Sequence, residues 1–241
     1  MDSYIFEIDT WGENFVDSAA APHYCTLGGI AKANEPPDAP NVVFNEFVCA
    51  RLAAMLGLPV PPGVLAKRDD GTLVFVSLRV GKKGDRPPPV IPARLIADHP
   101  DVAAGVVAFD CWVYNDDRHD ENVAYLPTLG PPVVFDHDHA LLGEMPTTPD
   151  ELLARRDTPC VERCLPPEIE SEEHFVPWCD QIAALDEGRI RGVCSLAAAA
   201  GVTTPELATA AGDFLVYRKD KVRGMLRASS DAFPKIQWSV L

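Results

Sequence analysis

Asp117 and Asn122 stand five residues apart in the segment DDRHDEN, and Asp136 follows the short apolar run VVF downstream. A carboxylate, an amide and a second carboxylate in that order can orient a hydroxyl nucleophile and hold magnesium through hard oxygen atoms, as phosphoryl transfer requires. Upstream, Lys32 lies in the strand-like run HYCTLGGIAKA, and Glu46 sits in or just after the first turn of an apolar helix. Taken singly, Lys32 is a strand-end lysine with its head in water, and Glu46 is a carboxylate favoured by the helix dipole. Taken together, a lysine braced by a glutamate can hold nucleotide phosphates. The order Lys, Glu, Asp, Asn, Asp along the chain favours that chemistry over two merely solvated acidic loops.

Elements must carry these residues. YIFEI and HYCTLGGIAKA read as two strands. In NVVFNEFVCARLAAMLGL, Val43, Phe47, Val48, Leu52, Met55 and Leu56 recur at helical spacing; the helix closes on Gly57, and Pro59, Pro61 and Pro62 prevent its resumption. GVLAKRDDGTLVFVSLRV is a hairpin with a DDG turn. From Asp101 to Tyr114, an inward stripe of Val102, Val106, Phe109, Trp112 and Val113 predicts a helix that runs directly into the acidic loop.

Beyond VVFDHDHAL the remainder reads as helices. TTPDELLARR opens with Thr and Pro at cap and first-turn positions, HFVPWCDQIAAL has an apolar face, and TTPELATAAGDFLVYRKDKVRGML places Thr203 and Glu206 at capping-box spacing. GKKGDRPPPVIP breaks the pattern with glycine, charge and proline, which predicts a hinge between residues 1–85 and 86–241.

A chain of 241 residues is long enough for a sizeable core, and a formal net charge of −15 argues against nucleic acid or anionic membrane as a partner. No run approaches the roughly eighteen apolar residues of a membrane span, and the N-terminus lacks a signal-peptide pattern, so the expected location is cytoplasmic. Seven scattered cysteines suit reduced core positions better than a disulfide framework. The pair Cys160 and Cys164 has no second Cys/His pair at zinc-site spacing.

The segment DRHDEN, with Asp117, Arg118, His119 and Asn122, resembles the loop of the HipA-like kinases and, more distantly, of the phosphoinositide kinases. NEFVCARLAAMLGLPVPPG is similar to the HipA-like pattern of a glutamate-bearing helix ending in GLPVP. The resemblance covers roughly residues 24–142. It implies an α+β, bilobal protein-kinase-like fold: a small strand-rich N-terminal lobe with one helix, a mostly helical C-terminal lobe, and ATP between them. By matching positions, Lys32 would contact phosphates and Glu46 would anchor Lys32. Asp117 would orient or deprotonate the acceptor, and Asn122 and Asp136 would bind Mg2+. His119 suits either a catalytic role or a hydrogen-bonded structural one. The implied activity is ATP-dependent transfer to a protein Ser/Thr or a small molecule.

The chain departs from the protein-kinase pattern in two places. It has no G-x-G-x-x-G, and Gly28 and Gly29 lie too near Lys32 to form a separate phosphate-covering loop, which leaves WGENFVDSAAAPH as the segment for that task. DHDH lacks the glycine of a D-F-G motif; Asp136, directly after the strand, is the preferred metal ligand over Asp138. Two other classes remain open. Asp117, His119, Asp120, Asp136, His137, Asp138 and His139 could build a metallohydrolase centre, and a kinase-like module could bind nucleotide without transferring phosphate.

Overall fold

The structure is a computed structural model that describes residues 6–16, 20, 22–81, 84, 87–125 and 130–239. Strands β1 (Ile8–Asn14) and β2 (His23–Leu27) pair antiparallel as a solvent-exposed ribbon. The first strand therefore starts at Ile8 and runs beyond YIFEI, whose Tyr4 and Ile5 lie outside the described residues. The segment assigned to phosphate covering connects β1 to β2, and its residues 17–19 and 21 also lie outside them.

HYCTLGGIAKA is two strands instead of one: β2, then β3 (Gly29–Ala33), which pairs with a different partner. The break falls at Gly28, where a Cβ would lie 2.1 Å from the Arg79 guanidinium. The Arg79 N–H donates to the Gly28 carbonyl (2.9 Å) and its side chain to Asp9 (2.8 Å), so the arginine ties the ribbon to the sheet at the residue that has no side chain.

The hairpin β4 (Gly63–Lys67) and β5 (Leu73–Leu78) forms as the DDG turn predicts, and β3 adds to β5, giving an antiparallel sheet in the order β3-β5-β4. Between β3 and β4 runs α1 (Val42–Met55). Its N-terminus is capped from outside, Asn34 Oδ1 accepting from the Val43 N–H (2.9 Å). It ends where Gly57, at φ +74°, turns the chain out of the helix. Because α1 starts at Val42, Glu46 falls just past its first turn.

The helical remainder comprises α2 (Pro92–Asp98), α3 (Pro100–Val113), the small ladder of β6 (Val123–Ala124) and β7 (Val133–Val134), then α4 (Pro149–Ala154), α5 (Val176–Ala184), α6 (Glu187–Ala199), α7 (Pro205–Lys219) and α8 (Val222–Ala228). The threonine cap and first-turn proline expected before α4 are present as Thr148 and Pro149, and Glu151 completes a capping box by bonding reciprocally with Thr148. Before α7 the cap is Thr204 and not Thr203: Pro205 takes the first helical position, so the residue before it must be the cap, and its hydroxyl accepts from Leu207 N–H (3.2 Å). One buried cluster runs from Val43 in α1 through Trp112 in α3 to Phe233 near the C-terminus, and α1 packs on the sheet on one side and on α6 on the other. The strand-rich and helical parts thus share a core. The expected boundary at residues 85 and 86 lies outside the described residues.

All seven cysteines are free thiols and five are buried, as reduced core residues should be. Among the described residues no helix is long and apolar enough to cross a membrane.

Candidate active site

Alternation along β3 puts Ile30 and Lys32 on one face, and the register sets Ser77 opposite Ile30 and Phe75 opposite Lys32. These four side chains form one wall of a cavity of about 400 Å3 that Val60, Leu78 and Val134 help to line and that Lys32, Glu46 and Asp136 close at its polar end. A mostly apolar hollow of this size with a few convergent charges is of the kind that binds small organic ligands.

The Lys32 ammonium touches three carboxylates: Glu46 at 2.6 Å, Asp138 at 3.0 Å, and Asp136. Burial opposes the charge on Lys32, but Glu46, Asp136 and Asp138 outweigh it and hold the lysine above its usual pKa. Burial raises the Glu46 carboxyl despite the lysine beside it. Asp136 and Asp138 divide: burial opposes ionisation of both, yet contacts with Asp138 and Lys32 bring Asp136 down to about 2, while Asp138 is raised by burial and by Asp136. One ammonium among so many carboxylates leaves excess negative charge in hard oxygen atoms, a donor set that suits Mg2+.

Helix α1 also grips the loop that carries these aspartates. Glu46 accepts from the His137 N–H (3.3 Å), and the buried Asn45 amide donates to the carbonyls of Asp138 (2.6 Å) and Gly143 (3.2 Å) while accepting from Leu142 N–H (3.2 Å). Asp136 has φ +67°, a conformation an ordinary residue adopts only when its surroundings demand it. Asn45→Ala takes the side-chain partner from the Asp138 carbonyl and the Leu142 N–H and leaves the Gly143 carbonyl only its longer bond from Asn41 (3.4 Å), and a loss of about 2–3 kcal/mol in urea unfolding is expected. A loss near zero would show that the clamp does not hold the loop.

The second half of the site hangs on Arg118. Its guanidinium is buried, donates to both oxygens of Asp110 on α3 (2.8 and 3.0 Å), and reaches the carbonyls of Asn122 (3.1 Å) and Phe135 (2.6 Å). One side chain therefore joins the end of α3, the acidic loop and the end of β7. Burial opposes its charge, and Asp110 more than compensates. Asn115 donates to the same Asp110 (2.9 Å), and the Asn122 amide donates to the Asp117 carbonyl (3.0 Å), which shapes the loop between them. His119 accepts from Glu121 N–H (3.3 Å) and caps the short turn at Asp120–Asn122; its imidazole lies 3.9 Å from Asp117, too far for a hydrogen bond.

Lys32, Glu46 and Asp136 are thus in direct contact, and Asp117, His119 and Asn122 share a loop held by Arg118. Asp138 stands between the two groups: it contacts Lys32 (3.0 Å), and its carboxylate lies within 4.8 Å of ligand atoms of Asp117 and His139. Of the metallohydrolase candidates, Asp117, Asp138 and His139 converge, whereas His137 is buried with its ring edge-on to Phe109 (5.6 Å). Cys160 instead meets the Asn115 carbonyl (3.2 Å) and joins no cluster of candidate ligands among the described residues.

Asn45, Asp110 and Arg118 as a buried tie escaped the sequence reading. The available signals were a lone carboxylate inside the apolar stripe FDCWV and an asparagine on the core face of α1.

No family model matches the sequence, and no curated protein does. Among solved structures, the chain is similar to the Helicobacter pylori proinflammatory kinase CtkA, at 15% identity over 95% of this chain and 96% of that one, with a TM-score of 0.51. It also matches a chain from the Shewanella oneidensis MR-1 toxin–antitoxin complex of HipA, HipB and operator DNA, at 14% identity over 92% of this chain and 65% of that one, with a TM-score of 0.48. The likeness to CtkA is one of fold, and the resemblance to HipA-like kinases read from two short segments has this structural counterpart over nearly the whole chain.

Proposed function

We propose that this chain is an ATP-dependent phosphotransferase of the HipA-like kinase type, with a bilobal arrangement of residues 1–85 and 86–241 around the nucleotide. The observation that carries the proposal is the meeting of Lys32, Glu46 and Asp136, delivered by three separate elements to the polar end of one cavity. The apolar wall with Ile30 and Phe75 suits a base, and Lys32, braced by Glu46, suits the phosphates. Asn122 and Asp136 would hold Mg2+, which when bound neutralises charge on phosphate oxygens. Asp117 orients the acceptor hydroxyl and takes its proton, and His119 supports the loop by its cap. The acceptor is a protein Ser/Thr or a small molecule.

Calorimetry of ATP with and without magnesium tests this reading. Binding is expected to require magnesium and to weaken at least about tenfold in Asp136→Asn, the loss of one charged ligand. Absence of binding under every condition sinks it. The convergence of Asp117, Asp138 and His139 favours a metal-dependent hydrolase as the second reading. A transition metal that stays with the purified protein would support it, because magnesium washes out. Tight ATP binding with no transfer to any acceptor would identify a nucleotide-binding module.

A further inference from the structure

The ammonium of Lys32 lies where a metal ion would find its ligands. Glu46, Asp136 and Asp138 come from a helix and a distant loop, yet one oxygen of each falls within 4.8 Å of the others. Lys32 Nζ contacts all three, at 2.6 Å for Glu46 and 3.0 Å for Asp138, and closely for Asp136. Convergent carboxylate oxygens around a single cation are the donor arrangement of a divalent site, here filled by a tethered monovalent charge. The tether is the lysine stem, and the cation cannot diffuse away; it can only swing toward other anions in reach.

We propose that Lys32 is a placeholder for the divalent cation: in the nucleotide-free protein its ammonium occupies the carboxylates Asp136 and Asp138, and metal gains them only when phosphate oxygens draw the lysine off. The inference rests on the phosphotransferase reading for the identity of those phosphates. Lys32 keeps Glu46 throughout, and exchanges two carboxylate partners for phosphate oxygens while the incoming cation takes the carboxylates. In both states a cation stands between the aspartates, so neither leaves them facing one another unscreened. The consequence is an order of loading: metal alone binds weakly, and metal with nucleotide binds well. It also means that Lys32, a residue needed for phosphate, suppresses metal affinity when phosphate is absent.

Removing the lysine should therefore create metal binding. Mn2+ is titrated into the nucleotide-free protein and free Mn2+ is followed by its paramagnetic resonance signal. Lys32→Met is expected to bind Mn2+ at least about tenfold more tightly than wild type, and to lose that gain when Asp136→Asn is added, which separates this cluster from the acidic surface. Lys32→Gln, which keeps a polar side chain but no charge, is expected to show the same gain and serves if the methionine variant does not fold. Equal Mn2+ affinity in wild type and a folded lysine variant overturns the proposal, as does a gain that survives Asp136→Asn. ATP binding by wild type in the presence of Mn2+ is measured alongside. Its absence would sink the phosphotransferase reading, and with it the phosphate half of the exchange; a lysine variant with no gain, beside normal ATP binding, would sink the placeholder alone.

Discussion

Replacing Asp117 by asparagine is expected to slow phosphoryl transfer about 10²–10⁴-fold while magnesium-dependent ATP binding and stability stay as in wild type, the signature of a lost general base. The geometry supports so selective an effect. The Asp117 side chain is about half exposed, and its nearest cationic candidate, His119, stands 3.9 Å away. The loop is shaped through the backbone of Asp117, whose carbonyl accepts from Asn122 and whose N–H donates to Asn115. An asparagine of the same shape leaves those bonds in place and removes only the basic oxygen. Turnover measured under saturating ATP, with calorimetric affinity beside it, decides the matter. Unchanged turnover would remove Asp117 from the chemistry and turn attention to Asp138, the neighbouring carboxylate that shares its cluster.

The largest stability effect belongs to Arg118→Ala, with an expected cost of about 3–5 kcal/mol, because one partner of a buried ion pair is deleted and the other is left charged in the interior. Arg118 is 4% exposed and Asp110 is 3% exposed, so water cannot take over the lost contacts. The carbonyls of Asn122 and Phe135 lose a donor at the same time. Against a total stability of about 5–15 kcal/mol for a folded protein, this is a large fraction. The double variant Arg118→Ala with Asp110→Asn should recover part of the loss, since it removes the unpaired charge and keeps a group for Asn115 to bond. Chemical denaturation of the single and double variants distinguishes this from simple loss of packing, which the double variant would not repair.

Much of the fold was legible because it is local. The α1 pattern, its stop at Gly57 and the β4–β5 hairpin depend on residues within a turn or two of one another, and periodicity reports them faithfully. The break at Gly28 was not legible, since it lies in the different partners that β2 and β3 take and in Arg79, just past the end of β5, which fills the space a side chain would need. The cap before α7 was misplaced by one residue because two threonines precede Pro205, and the proline, by starting the helix, selects the nearer.

By itself, the sequence determined which chemical groups are available and in what order: Lys32 on a strand, Glu46 on the following helix, Asp117 and Asn122 in one loop, and Asp136 after a short apolar run. It could do so because residue type and local spacing are properties of neighbouring positions. Tertiary structure alone decided that Lys32 reaches three carboxylates at once, that Asp138 links the two halves of the site, and that Arg118 and Asn45 hold the loops in place. Those contacts join residues on different elements, Lys32 to Asp138 far along the chain and Arg118 to Asp110 across the end of α3, and whether they form depends on packing and on the need to satisfy every buried polar group, which no short stretch of sequence records.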